Sequence, residues 1–148
     1  MNENRHGVLV HSAPQAVFPE IVAWGEASWW PRRSLMRFVR LTDGFVGAGT
    51  RYRQEVRLPF APSWDAKVTA VTMTSITRTF LNGMFNGFET VSLRPQAEGT
   101  FVEYRMCYEI KGAANCVMWF LAFRYLHDAN IRRILKNLKR FCERRDKK

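Results

Sequence analysis

Two titratable side chains stand where apolar ones belong. Near the C-terminus, Ile131, Ile134, Leu135, Leu138, Phe141 and Cys142 recur at helical spacing. Counting back along the same helix at about 100° per residue places Arg124 and His127 inside that stripe, between Phe120 and Ile131. A guanidinium turned inward is costly unless it is paired. Arg124 therefore takes Asp128, a glutamate from elsewhere, carbonyls, water or the anionic end of a ligand, or else it snorkels out. His127 beside a tyrosine hydroxyl makes either a satisfied buried pair or a general acid or base.

Other arrangements that carry chemistry fail on spacing. His6, His11 and His127 lie far apart in the chain, and no His or Cys pair has the spacing of zinc ligands. There is no Gly-x-Ser-x-Gly elbow, P-loop or dinucleotide fingerprint. Gly44, Gly47 and Gly49 fall between strands, where glycine serves turns. Nothing in the chain calls for a metal, a nucleotide or another cofactor.

The elements that must hold Arg124 and His127 follow from periodicity. His6 to Ser12 alternates as a first strand, Pro14 opens a helix carrying Val17, Phe18, Ile21 and Val22, and Ala27 to Trp30 forms a second short helical turn. Ser34 to Thr42 is a strand. In the next, Tyr52, Gln54, Val56 and Leu58 alternate with Arg51, Arg53, Glu55 and Arg57. Trp64 to Met73, Ile76 to Leu81, Phe88 to Arg94 and Gly99 to Gly112 complete a meander joined by Pro- and Gly-rich turns. One long helix, Ala114 to Arg144, ends the chain. A sheet with charges on one face must cover its other face, and only the helices can do that.

Size and charge narrow the choices further. A chain of 148 residues suits one domain, 1–148, and 47% hydrophobic content with eleven Phe and five Trp rules out disorder. The net charge is +10, of which the tail from Ile131 onward carries +7, with nine Lys or Arg against two acids. That basic face, with a frayed end at 144–148, reads as solubilising or as a contact for an anionic membrane or an acidic protein. Nucleic acid has no supporting motif. Met118, Ala122 and Tyr125 on the back of the helix allow a monomer or a weak dimer. Cys107, Cys116 and Cys142 lack paired spacing, and no apolar leader precedes the first strand, so a reduced, cytoplasmic setting is expected.

The order of these features resembles a known family. It comprises Ala13-Pro14-x-x-Val17-Phe18, Trp29-Trp30-Pro31, Gly47-x-Gly49-Thr50, the Arg94-Pro95 to Gly99-Thr100 hairpin followed by Tyr104 and Tyr108, and Asn130-x-x-x-x-Leu135-x-x-Leu138-Lys139-x-x-x-Glu143. Together these resemble the START-like (SRPBCC) superfamily, which includes polyketide cyclase/dehydrase-like and Bet v 1-like proteins. The resemblance implies an α+β helix-grip fold, a curved antiparallel sheet of about six or seven strands around the C-terminal helix, with a hydrophobic cavity between. On that fold Trp30, Tyr52, Gln54, Val68, Phe88, Tyr104, Met106, Tyr108, Phe120, Arg124 and His127 would line the cavity, or else be ordinary core. The implied function is sequestration of a lipid, isoprenoid or polyketide-like molecule. The alternatives are a polyketide cyclase or aromatase that uses Arg124, His127, Tyr104 and Tyr108, and an interaction protein that works through the basic helix.

Overall fold

The computed structural model describes residues 1–148. Seven strands form a single antiparallel sheet: β1 (Asn2–Val10), β2 (Met36–Arg40), β3 (Arg51–Val56), β4 (Ser63–Val71), β5 (Ser75–Phe80), β6 (Phe85–Gln96) and β7 (Gly99–Ile110). Their spatial order is β1-β7-β6-β5-β4-β3-β2, so the chain runs as a meander from β2 to β7 and β1 closes the far edge. The sheet curls into a half-barrel around a long C-terminal helix. The architecture is the α+β helix grip. No helix of the protein is long and apolar enough to cross a membrane.

Alternation decides which face meets the helix. In β5, Ile76, Arg78 and Phe80 are buried, whereas Ser75, Thr77 and Thr79 are not. In β7, Thr100, Val102, Tyr104, Met106 and Tyr108 turn inward. Strand β6 begins three residues before the expected Phe88, and Glu89, Val91 and Leu93 are its buried row. Gly87 makes that early start feasible. It sits at φ +133° where a Cβ would collide with the Cys107 carbonyl, so only glycine lets β6 and β7 approach this closely.

One helix, α1 (Pro14–Val22), follows β1. Its inner residues Val17 and Ile21 are buried with Trp24 beyond its end. The second short helix expected at Ala27 to Trp30 is instead a string of turns, closed by a bond from the Trp30 amide to the Ala27 carbonyl. Trp24, Trp29 and Trp30 pack edge-on or tilted against one another there, with centroids 5.4 to 5.9 Å apart. An aromatic cluster followed by Pro31 gains more from mutual packing than from a further helical turn.

The C-terminal helix is continuous but not uniform. It comprises α2 (Ala113–Met118), one π turn (Trp119–Phe123) and α3 (Arg124–Asp146). Instead of fraying, its end is helical to Asp146, where Arg145 donates to Glu20 Oε1 at 3.1 Å and to the Ala16 carbonyl. Along α3, Ile131, Ile134, Leu135, Leu138 and Cys142 are buried. The helix also closes the edge of β1. Lys139 Nζ donates to the Leu9 carbonyl at 2.7 Å, and Glu143 accepts from the His11 amide at 2.9 Å.

Candidate functional site

The π turn resets which residues point into the grip. A regular helix counted back from Ile131 reaches His127, Arg124 and Phe120. A π turn takes up one extra residue, so the inward row becomes Ile131, His127, Phe123 and Trp119. Trp119 is buried, and its indole donates to the Tyr108 hydroxyl at 2.9 Å. Phe120 is 41% exposed, and Arg124 is exposed and makes no ion pair. The inward placement of Phe120 and Arg124 is thereby corrected, and Arg124 leaves the site.

On the sheet beneath His127 the space is filled by a polar knot. Arg78 and Glu89 face each other across β5 and β6, with Nη1 to Oε1 at 3.9 Å; Arg78 is 0% and Glu89 3% exposed. Glu89 accepts from Gln54 Nε2 at 2.8 Å and from the Tyr104 hydroxyl at 3.1 Å, and Gln54 Oε1 accepts from the Trp64 indole at 2.7 Å. The Arg78 guanidinium lies over the rings of Tyr52 and Phe38, 5.5 and 5.7 Å from their centroids. Burial pushes its pKa down from the usual arginine value, with Glu89 opposing. Burial, and then Glu89, raises the Tyr104 hydroxyl well above its ordinary value, and burial pushes Tyr52 up to about 12.

His127 connects this knot to the helix. The Tyr104 proton is committed to Glu89, so its oxygen accepts from His127 Nε2, 3.4 Å away. His127 Nδ1 makes no hydrogen bond; the nearest acid, Asp128, is 3.7 Å away. Asp128 itself accepts from Asn4 at 2.6 Å and lies 3.2 Å from His6 Nε2. His127 above all, then Asn4 and His6, holds its carboxyl well below the usual carboxylate range.

Under the π turn and the first two turns of α3 the grip stays open. A narrow apolar slot with a cavity volume of about 40 Å³ lies between this stretch of helix and the Leu35, Met36, Val56, Leu58, Pro62 edge. Trp64, Met84, Phe85, Trp119 and Phe123 form its walls, Leu126 its lip, and His127 and Asn130 its polar floor. Asn130 is held in place: its amide oxygen accepts from the Leu35 amide at 3.1 Å, and one N–H of its amide donates to the Ser34 hydroxyl at 3.1 Å. A recess of only about 10 Å³ continues past Met36 and His127 toward Trp30, Glu89 and Tyr104.

The residues expected at the cavity divide three ways. His127 lines both spaces, and Trp30 and Tyr104 line the inner one. Tyr52, Gln54, Val68, Met106 and Tyr108 turn inward but are packed core away from either opening. Phe88 is on the outer face with Thr90 and Ser92, because its buried neighbour Glu89 takes the inward position. The sequence reading missed Arg78 and Glu89, although both share parity with apolar inward residues, Ile76 and Phe80 for one, Val91 and Leu93 for the other. It also missed Trp64, Trp119 and Phe123, and only the π turn places the last two. No three His, Cys, Asp or Glu side chains gather as a metal site.

With this geometry in view, solved structures supply the comparison. TTHA0849 from Thermus thermophilus superposes with a TM-score of 0.73 over 95% of this chain and 97% of its own, at 19% identity. Ara h 8.0201 matches with a TM-score of 0.63 and 14% identity over 95% of this chain and 97% of its own. The likeness is one of fold: these chains share the helix grip described above. The di-domain ARO/CYC StfQ from the steffimycin biosynthetic pathway also matches, with a TM-score of 0.73 and 19% identity over 99% of this chain and 52% of that one. No protein-family model and no curated protein matches the chain by sequence.

Proposed function

We propose that this helix-grip protein binds and sequesters an amphipathic small molecule, of lipid, isoprenoid or polyketide-like type, in the slot beneath Trp119 to Leu126. The observation that carries this reading is the lining itself: ten of its 13 residues are hydrophobic, and the one titratable side chain is His127. Apolar walls and a single titratable group at the floor suit a ligand with an apolar body and one oxygen function at its end. Each 100 Å² of its apolar surface removed from water contributes about 2.5 kcal/mol. The slot is narrow, so a thin or planar group enters while bulkier parts stay at the mouth.

Native mass spectrometry of protein purified from its own host tests the reading. A small-molecule adduct is expected, and Leu126→Trp, which fills the lip, should remove it. A protein that carries nothing and leaves the fluorescence of Trp64 and Trp119 unchanged with any apolar probe would overturn it.

One observation favours a second reading, an enzyme of the aromatase or cyclase type. His127, Tyr104 and Glu89 form a hydrogen-bonded run of imidazole, phenol and acid lining the inner recess, with Asp128 3.7 Å from His127 at its outer end. Tyr104 stays protonated at neutral pH, so it donates, and His127 is left as the group that accepts a proton from a ligand beside a carbonyl. Under this reading His127→Asn abolishes turnover of a poly-β-keto substrate while binding persists. Loss of binding and turnover together would reduce His127 to a ligand anchor.

A further inference from the structure

The mouth of the slot is hydrophobic on the outside as well as the inside. Val117, Met118, Phe120, Leu121, Tyr125 and Leu126 all project from the helix around the π turn, Leu121 74% and Tyr125 65% exposed. Across the opening, Phe60 stands fully exposed between the slot residues Leu58 and Pro62. Its φ of +60° is a strained conformation for an aromatic residue, held without any buried contact in return. Contiguous apolar surface of this kind, rimming a cavity, marks a docking site.

Charge identifies what docks. Three segments surround the mouth, residues 29–36, 56–64 and 110–127. They contain five Lys or Arg, namely Arg32, Arg33, Arg57, Lys111 and Arg124, and no Asp or Glu. All five are exposed. Of the acids that directly flank these segments, Glu55 and Glu109 fall on the outward-facing positions of β3 and β7, Asp65 pairs with Arg53 at 3.0 Å, and Asp128 is turned back to Asn4 and His6. Aromatic and aliphatic side chains projecting inside a ring of cations match an anionic bilayer, whose headgroups meet the cations and whose acyl boundary takes the apolar side chains. We propose that this mouth seats on an anionic phospholipid membrane and that ligand passes between bilayer and slot through the gap between the π turn and the Leu58 to Pro62 loop. The surface differs from the basic back of α3, which has the cations without the projecting apolar residues. The ligand-passage part rests on the sequestration reading; the docking part does not.

Co-sedimentation with phosphatidylcholine vesicles, with and without phosphatidylserine, tests the docking. Binding to the anionic vesicles is expected to exceed binding to the neutral ones by about tenfold or more and to fall as salt rises. Leu121→Asp and Tyr125→Asp, both on exposed positions that leave the core intact, should each weaken it by about tenfold. Equal binding to both vesicle types, or full binding by the two variants, would overturn the proposal. So would a stable dimer that Leu121→Asp dissolves while wild type ignores vesicles, because the patch would then belong to a second copy. Uptake of anilinonaphthalene sulfonate without vesicles reads the slot separately. Leu126→Trp should lose uptake and keep vesicle binding, and Leu121→Asp should do the reverse. If wild type binds vesicles yet takes up no probe, the slot reading fails and docking stands.

Discussion

Two regions beneath one helix have opposite constructions. From Ile131 onward the grip is shut: Ile131, Ile134, Leu135 and Leu138 pack on a sheet whose Glu89 accepts from Gln54 and Tyr104 and faces Arg78 out of water. Under the π turn and the start of α3 the grip is open, its walls apolar on the inside and its helix apolar on the outside. The division falls at His127, which belongs to both. A buried ion pair needs a rigid, dry enclosure to offset its desolvation, whereas a slot that admits a ligand needs side chains with few native contacts to lose. One helix serves both by changing its own geometry in the middle.

The comparison breaks most easily at the closed side. Glu89→Leu strands the Arg78 guanidinium in the core and should cost about 3–5 kcal/mol in urea unfolding, whereas Arg78→Met with Glu89→Leu should recover most of it. An uncorrected double variant would mean that the hydrogen bonds to Gln54 and Tyr104, not the charge pair, hold this side. Leu138→Ala should cost about 2–5 kcal/mol, since it empties a fully buried site. Leu121→Ala on the open side should change stability by no more than about 0.5 kcal/mol. Equal costs would show that the two halves of the helix are stabilised alike.

Two smaller effects sharpen the boundary between the regions. Deleting Ala122 removes the residue that a π turn takes up beyond a regular turn. Trp119 should stay seated against Tyr108 with a stability change within about 1 kcal/mol, and probe uptake should fall as the mouth narrows. The smallest effect belongs to Asp128. Its folded pKa is depressed, so its carboxylate stabilises the protein above its unfolded pKa of about 4, and that contribution is lost as pH falls toward the folded value. Thermal unfolding followed below about pH 4 should therefore show a shallower acid limb in Asp128→Asn. An unchanged limb would detach Asp128 from the boundary.

Much of this was legible before any coordinates. The alternation of β3 and β7 and the apolar stripe of α3 are one-dimensional signals, because their periods of two and 3.6 follow from local geometry. Glu89 was legible in principle. It continues the parity of Val91 and Leu93, as Arg78 continues that of Ile76 and Phe80. A rule that sends charges outward puts Phe88 inside in its place, and only the cross-strand pairing of Arg78 with Glu89 makes a buried charge tolerable.

The line between sequence and structure can be drawn at particular residues. By itself the chain determined a meander of strands, a long amphipathic helix whose distal half packs, and His127 as an inward titratable group. Those outcomes rest on side-chain periodicity within single elements. Only the tertiary structure decided that Trp119 and Phe123 point inward and Phe120 and Arg124 outward. A π turn shifts the helical phase by one residue, and it is set by how Trp119 seats against Phe85 and Tyr108 on the sheet. The same packing left one half of the grip open and closed the other, because which side chains fill a shared space depends on residues that are distant in the chain.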